Sequence, residues 1–242
     1  MTIIDSELCF VLHTRPYRDT SLLVEFFTQQ RGRLTAIAKG ARRPKSPLRL
    51  SLHLFMPLLC NYYGKHELVT LKSLEAVTMA YPLTGNGLFA GLYVNELLIR
   101  LLPKMIPMEA TFAQYQQLLP QLLESQQLNA SLRYFEQLLL QDLGYGLSLT
   151  EDYLTSEAVA EDEFYRYVHE QGVHQVDPER LGEASKIFKG DSLLALERRQ
   201  LMTPQQLRDA KRLFRLAVLP LLGGEPLRSW QLFSKPKELL SC

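Results

Sequence analysis

The sequence predicts an α+β protein in which a small five-stranded β-barrel precedes an α-helical domain with a small acidic, partly β insertion. Residues 1–80 carry five strand-like segments and no helix long enough to cover a sheet. Residues 81–242 carry helical periodicity, interrupted by an irregular acidic stretch. We therefore predict one domain over 1–80 and a second over 81–242, with 151–190 as the insertion.

The strands of the first domain are recognised by short apolar or alternating runs between turn residues. The five runs are Leu8–His13, Ser21–Thr28, Arg33–Lys39, Leu52–Tyr63 and Glu67–Val77. The last two predict a hairpin with Gly64, Lys65 and His66 at its tip, and residues 40–48 form a basic loop punctuated by proline. Five short strands fit a closed barrel such as an OB-fold, and an SH3-like barrel fits the pattern nearly as well.

The helices of the second domain follow from apolar residues at helical spacing. The predicted helices cover Leu88–Leu102, Thr111–Gln126, Asn129–Leu143 and the short segment Ser192–Glu197. Within the acidic insertion, residues 164–176 predict a small hairpin that turns at Gln171-Gly172.

The last helix has the clearest start signal in the chain. Thr203 stands at the N-cap, Pro204 at the first helical position and Gln206 at the capping-box position. The spacing of the bases that follow places them in one stripe on a face of this helix. These bases are Arg208, Lys211, Arg212 and Arg215.

The composition excludes several classes of protein. The N-terminus lacks the order of a signal peptide, and no apolar run reaches about 18 residues, so we expect a cytoplasmic protein with no membrane contact. The three cysteines are far apart, and His169 and His174 are interpreted as exposed strand or turn residues. We expect no metal, cofactor or disulfide.

Enzymatic function is not predicted. The chain has no phosphate-binding loop, dinucleotide-binding glycine motif, zinc-protease motif or nucleophile elbow, and no catalytic residue is assigned. A nuclease that draws carboxylates from separated elements stays an open alternative.

The net charge of +1 hides an uneven distribution of charge along the chain. Residues 1–80 carry a net charge of +5, residues 81–207 carry −8, and residues 208–237 carry +5. In the first domain, seven bases fall within residues 31–49 without an intervening acid. A run of this density is often only a solvated face, but phosphate groups are its common partner.

Four segments resemble, in the same order along the chain, the RecO family of DNA repair proteins. The first is VLHTRPYRDTSLLVEFFTQQRGRLTAIAKGARRPKS, with its Arg-x-Tyr pair, Gly-Arg-Leu turn and Ala-Lys-Gly-Ala-Arg loop. The others are GLYVNELLIRLLP, SLRYFEQLLLQDLGYG and LPLLGGEPLRSWQLF. The resemblance runs in this order over nearly the whole chain, from about residue 8 to residue 234.

This resemblance implies an N-terminal OB-fold and a non-catalytic recombination mediator of the RecF-type pathway. Such a mediator binds single- and double-stranded DNA, anneals complementary strands and helps to load recombinase on DNA coated by single-stranded-DNA-binding protein (SSB). The implied partners are DNA, RecR, the acidic C-terminal tail of SSB and, indirectly, the recombinase RecA. With DNA as a partner, the resemblance also implies association with the nucleoid in the cytoplasm.

Many members of the family have a four-cysteine zinc module where this chain has residues 151–180 without a cysteine. The chain therefore resembles the zinc-free subgroup. Arg133, in SLRYFEQ, matches the family pattern best as the contact for the SSB tail. Its structural alternative is an ion pair on the helix surface with Glu136 or a contact with Gln137.

The predicted DNA-binding residues combine the basic barrel segment with the basic helix stripe. They are Arg15, Arg33, Lys39, Arg42, Arg43, Lys45, Arg49, Arg208, Lys211, Arg212 and Arg215. Tyr17, Tyr62 and Tyr63 are candidates for base stacking, although alternation along a strand allows only one of the last two to face outwards. The competing hypotheses are a protein-interaction adaptor and an RNA-binding OB-fold protein.

Overall fold

The computed structural model describes residues 3–64, 67–124, 126–177 and 183–233. The predicted hairpin tip at Lys65 and His66 therefore lies outside the described residues. The chain divides into two compact units. Unit 1 comprises Met1–Ser125 together with Leu227–Cys242, and unit 2 comprises Gln126–Pro226.

Unit 1 contains a closed five-stranded barrel with the strand order β1-β2-β3-β5-β4. The strands are β1 (Ile3–Tyr17), β2 (Ser21–Thr28), β3 (Gly32–Ala38), β4 (Leu58–Tyr63) and β5 (Leu68–Ala76). All pairs are antiparallel except β3 with β5, and the short helix α1 (Pro47–Ser51) connects β3 to β4. This OB-like barrel confirms the predicted α+β fold class.

Strand β1 closes the barrel because it pairs with two neighbours. Its second half pairs with β2 and its first half with β4, and the register shifts between Val11 and His13 and between Ile4 and Glu7. Such bulges bend a strand and increase its twist, which lets β1 turn from one side of the barrel to the other.

The barrel has an interior core and a second, exterior core under two helices. Neighbouring Phe26 and Phe27 are both fully buried because Phe26 packs inside the barrel, whereas the Phe27 ring packs against Phe112 outside it. The covering helices are α2 (Gly85–Leu101) and α3 (Glu109–Gln121). Part of the outer barrel face is therefore closed to ligands.

A buried polar contact fixes α2 and α3 on β1. The side-chain amide of Asn95 donates to the carbonyl of Leu12 at 3.1 Å, and the hydroxyl of Tyr115 donates to Oδ1 of Asn95 at 2.7 Å. Packing thus places these two helices with the barrel in unit 1, whereas the sequence prediction ends the first domain at residue 80. That boundary stays a prediction.

Unit 2 combines helices with a three-stranded antiparallel sheet of order β7-β6-β8. The helices are α4 (Leu128–Asp142), α5 (Gly190–Glu197) and α6 (Pro204–Leu221), and the strands are β6 (Phe164–Val168), β7 (Gly172–Gln175) and β8 (Ile187–Lys189). The predicted hairpin is present and gains β8 as a third strand. Asp152 orders the acidic stretch because its carboxylate accepts backbone N–H groups from Leu154, Thr155 and Gln175.

The start of α6 confirms the predicted capping box. The hydroxyl of Thr203 accepts from the backbone N–H of Gln206 at 3.2 Å, and Oε1 of Gln206 accepts from the backbone N–H of Thr203 at 3.0 Å. Within the described part of the chain, no helix is long and apolar enough to span a membrane.

Candidate nucleic-acid interface

The β1–β2 turn and the loop after β3 meet at one end of the barrel. The guanidinium of Arg42 donates to the carbonyls of Arg18 and Asp19 at 3.2 and 3.3 Å, and its backbone N–H donates to the carbonyl of Thr20 at 2.9 Å. These bonds tie the two loops together.

Five exposed bases lie at or near this barrel end. Arg15 of β1 lies opposite Leu23 of β2, and Leu23 lies opposite Ile37 of β3. Lys39 follows Ile37 by two residues, so Arg15 and Lys39 lie at the same end of the barrel. The Arg43 side chain packs near Gly40 in the same loop. We call this group the barrel-end patch, and it consists of Arg15, Arg18, Lys39, Arg42 and Arg43.

Arg18 belongs to this patch, although it is not among the DNA-binding residues that the sequence predicts. It is exposed, and its guanidinium carbon lies 5.3 Å from the ring centroid of Tyr17. Its φ of +49° places it in the left-handed region, which is uncommon outside glycine. The sequence signal for Arg18 is its position, because it follows Arg15 by three residues and lies in the turn between β1 and β2.

Arg33, in contrast, is held inside unit 1. Its Nη1 lies 3.2 Å from a carboxylate oxygen of Glu25, and its Nε donates to the carbonyl of Leu102 at 3.0 Å. Only 13% of its side chain is exposed. Its hydrogen-bonding groups attach the α2–α3 connection to β3, so we leave Arg33 out of the proposed interface.

Lys45 and Arg49 are exposed and continue from the patch along the chain. The turn from Arg43 to Ser46 carries Lys45, since the backbone N–H of Ser46 donates to the carbonyl of Arg43 at 3.1 Å. Arg49 lies on α1, which packs near β5. These two bases extend the positively charged surface beyond the barrel-end patch.

The stacking candidates separate as strand alternation predicts. Tyr62 is buried in the barrel core and its hydroxyl donates to the carboxylate of Glu7, whereas Tyr63 is half-buried. Burial, followed by the contact with Glu7, raises the pKa of Tyr62. Tyr17 is half-buried beside Arg18 and is the tyrosine nearest to the barrel-end patch.

In unit 2, the basic stripe of α6 is divided by its local contacts. Arg212 donates to the carbonyl of Ile187 and to the carboxylate of Asp209, and its guanidinium carbon lies 4.4 Å from the ring centroid of Phe188. Arg208 is exposed, and its guanidinium donates to the side chain of Gln205. Arg212 therefore stabilises unit 2, whereas Arg208 keeps an accessible guanidinium.

Lys211 and Arg215 lie close to Arg133 of α4. Burial, and then the positive charges of Arg215 and Arg133, lower the pKa of Lys211, and the charge of Glu136 acts in the opposite direction. Such a concentration of positive charge favours an anion.

Arg133 itself is buried rather than exposed on a helix surface. Only 8% of its side chain is exposed, Nη2 lies 2.8 Å from Oε1 of Glu136, and the guanidinium carbon lies 5.9 Å from the ring centroid of Phe214. The ion pair with Glu136 is thus present, but in the interior, and Gln137 bonds to Glu197 instead. The positive charge nearest to solvent here belongs to Lys211.

The two histidines of the acidic insertion are half-buried rather than exposed. His169 lies in the β6–β7 turn, and the ring of His174 packs edge-on against Tyr153 with centroids 5.5 Å apart. Among the described residues, no group of three His, Cys, Asp or Glu side chains could hold a metal ion. The arrangement of charges described above suits phosphate and carboxylate ligands.

Two family models match this chain. The model described as "Recombination protein O N terminal" matches residues 1–80, and "Recombination protein O C terminal" matches residues 83–231. The first match covers all five strands of the barrel, and the second covers helices α2 to α6.

Relatives of known name match over nearly their full length. The DNA repair protein RecO of Nitrosococcus oceani is 43% identical over 230 residues, covering 95% of this chain and 93% of the relative. The protein of the same name from Aliivibrio salmonicida is 40% identical over 228 residues, with 93% of each chain covered. That of Proteus mirabilis is 41% identical over 225 residues, with 93% and 90% covered.

Proposed function

Since the chain belongs to the RecO family of DNA repair proteins, we propose that its barrel-end patch binds the phosphate backbone of DNA during recombinational repair. The observation that supports this most is the gathering of five exposed bases around two loops tied by Arg42. Only Asp19 opposes them within those loops.

Phosphate binding by this patch follows from ordinary electrostatics. Exposed like charges repel one another unless a polyanion neutralises them, and each neutralised phosphate releases counterions from the nucleic acid. If four or five phosphates of a single strand are neutralised, the logarithm of the affinity should fall with the logarithm of salt concentration with a slope of about −3.

The test compares the binding of a fluorescent oligonucleotide, single- and double-stranded, over a range of salt. Combined substitution Lys39→Ala, Arg42→Ala and Arg43→Ala should weaken binding by more than tenfold and make the slope less steep by about 2. Arg198→Ala removes an exposed base of unit 2 that pairs with Glu161, and it serves as the control. Unchanged binding by the triple variant would refute the assignment.

We propose further that the chain anneals complementary strands. Annealing brings two negatively charged strands together, so a second basic surface that screens their repulsion would assist it. Arg208 and Lys211 on α6 supply such a surface. Their replacement by alanine should slow the annealing of complementary oligonucleotides while single-strand binding at the patch is retained, and an unchanged annealing rate would exclude this surface.

The charge around Lys211 also supports the proposed contact with the acidic C-terminal tail of SSB. A carboxylate forms its strongest hydrogen bonds with positively charged donors. We propose that Lys211 and Arg215 contact the tail and that the buried Arg133 adds positive charge close to Lys211. A titration with the tail peptide tests this, since Lys211→Ala should weaken binding; equal affinity would remove this site.

RecR and, indirectly, RecA remain proposed partners on the strength of the family alone. The informative measurement is loading of the recombinase on SSB-coated DNA by the full chain, with and without RecR. No gain in loading would leave the protein with DNA binding and annealing only.

A further inference from the structure

Unit 2 contains a small cavity that the proposed DNA surfaces do not use. It has a volume of about 260 Å³ and lies between the loop that follows α4 and the β6–β7 turn. Its lining includes Tyr145, Tyr167, His169, Glu170 and Ala217. Tyr145 is 43% exposed, so an aromatic ring stands at the solvent side of the cavity.

The two walls of the cavity approach each other closely at one glycine, Gly172. Gly144 and Gly146 form part of the loop wall, and Gly172 begins β7 in the opposite wall. A side chain at Gly172 would place its Cβ 3.3 Å from the carbonyl oxygen of Ser148. The two walls are thus nearly in contact where Gly172 faces Ser148.

The charge of the cavity is negative. Glu170 is its ionisable acid, and none of the described lining residues is lysine or arginine. Burial, and then the charge of Glu170, raise the pKa of Tyr167 to about 12, so the carboxylate acts on the interior of the cavity. The surrounding residues 149–177 contain eight acids and one base.

The ring of His169 also lines the cavity, beside Glu170. Its Nδ1 is buried and has no hydrogen-bond partner within the described part of the chain, and its Nε2 lies 3.8 Å from a carboxylate oxygen of Glu170. The cavity therefore combines one carboxylate with three side-chain rings, those of Tyr145, Tyr167 and His169.

We propose that this cavity binds the side chain of an arginine presented by a partner protein. Aromatic rings beside one carboxylate form the environment that attracts a cation, through cation–π attraction and charge. The planar, weakly hydrated guanidinium stacks on rings better than the compact ammonium of lysine. Phosphate-bearing ligands are disfavoured because the cavity and its surroundings are acidic.

The binding test uses the full chain and a short peptide. Acetyl-Gly-Arg-Gly-amide is titrated while the backbone amide resonances of Gly146 and Gly172 are followed by NMR. The arginine peptide should shift both resonances and saturate, whereas the same peptide with citrulline, which has nearly the same shape and no charge, should not. Equal shifts with citrulline would overturn the proposal.

Substitutions identify the groups responsible. Glu170→Gln should weaken the arginine peptide about fivefold, and Tyr145→Leu about threefold, whereas Tyr145→Phe should bind as the natural chain does. Glu157→Gln, an exposed acid of the same segment outside the lining, is the matched control. A loss with Glu157→Gln as large as with Glu170→Gln would show general acidity and not a site.

Two further measurements separate this site from the proposed DNA function. Guanosine monophosphate is titrated in the same way, and binding stronger than that of the arginine peptide would assign the cavity to a nucleotide and refute the proposal. Strand annealing by Glu170→Gln should equal that of the natural chain. Lost annealing together with unchanged peptide affinity would also refute it.

Discussion

At the scale of single residues, the chemistry of a side chain did not decide its role; its neighbours did. Arg33 and Arg42 are both arginines of the basic barrel segment. Arg33 is enclosed by Glu25 and the carbonyl of Leu102, whereas Arg42 is exposed and fixes the loops of the barrel-end patch. Sequence could identify both as basic, but Leu102, whose carbonyl binds the Arg33 guanidinium, lies 69 residues away.

At Gly32, a contact with a residue distant in sequence leaves space for glycine but not for a larger residue. Its φ is +66°, and a Cβ there would lie 1.8 Å from the backbone oxygen of Ile106. We expect Gly32→Ala to lower the free energy of unfolding by about 3 kcal/mol or more, because it adds a backbone clash to left-handed strain. Urea unfolding measures this.

The control for Gly32 is Gly85 in the same unit, which has a φ of +52° and no atom within 4 Å of the position that a Cβ would take. Gly85→Ala carries strain without a clash and should cost about 1 kcal/mol. Equal losses in the two variants would mean that the approach of Ile106 does not matter.

Glu170 is a residue whose conformation opposes stability. Its φ of +62° is one that glycine adopts without the steric cost of a Cβ. Glu170→Gly should therefore raise the free energy of unfolding by about 0.5 kcal/mol while it weakens binding of the arginine peptide at least as much as Glu170→Gln does. Thermal unfolding followed by circular dichroism tests the stability; a destabilised variant would show that the carboxylate also supports the fold.

At the scale of elements, local chemistry predicted most of the strands and helices. The capping box of α6 needs only residues within four positions of one another, so Thr203, Pro204 and Gln206 identify it directly. The third strand of the unit 2 sheet, β8, was missed because its three residues acquire strand geometry only by pairing with β6. The sequence also places Arg212 with the accessible bases of α6. In the structure its guanidinium donates to the carbonyl of Ile187, which is distant in sequence.

The cap of α6 gives a prediction at this scale. Thr203→Ala removes the acceptor for the backbone N–H of Gln206 and should cost about 1 kcal/mol. Gln141→Ala, on the exposed side of α4, should be nearly neutral. Chemical unfolding followed by circular dichroism compares them, and a neutral Thr203→Ala would mean that water replaces the cap.

At the scale of the whole molecule, the chain returns to unit 1 after completing unit 2. The carboxylate of Glu96 on α2 accepts the backbone N–H groups of Arg228 and Ser229 at 2.9 and 2.8 Å. These partners are 132 and 133 residues apart from it in sequence. No sequence pattern near Glu96 could predict these partners, because the contact forms only when the segment that carries Arg228 and Ser229 packs against α2.

This contact makes the stability of unit 1 depend on pH. Burial alone would raise the pKa of Glu96, but the backbone N–H groups and Arg100 hold it below its ordinary value. A carboxylate with a lowered pKa stabilises the fold above its ordinary pKa, and this contribution is lost as pH falls through the lowered value. Unit 1 should therefore lose stability below about pH 4.5.

Glu96→Gln should remove this dependence. At pH 7 the variant should unfold at lower urea concentration, and the difference from the natural chain should shrink as pH falls towards 2. Trp230, the one tryptophan of the sequence, belongs to unit 1, so its fluorescence follows the transition. Glu75→Gln on the exposed part of β5 is the control, and a difference independent of pH would exclude the charge of Glu96 as its cause.

The sequence by itself determined the barrel followed by helices, the cap of α6, the uneven charge and the resemblance to one family. Each depends on residue types at short spacing or on order along the chain. Only the tertiary structure decided which bases are available to a ligand, since it places Arg33 against the carbonyl of Leu102, Arg133 against Phe214 and Arg212 against the carbonyl of Ile187. The physical reason is that burial and pairing depend on which elements pack together.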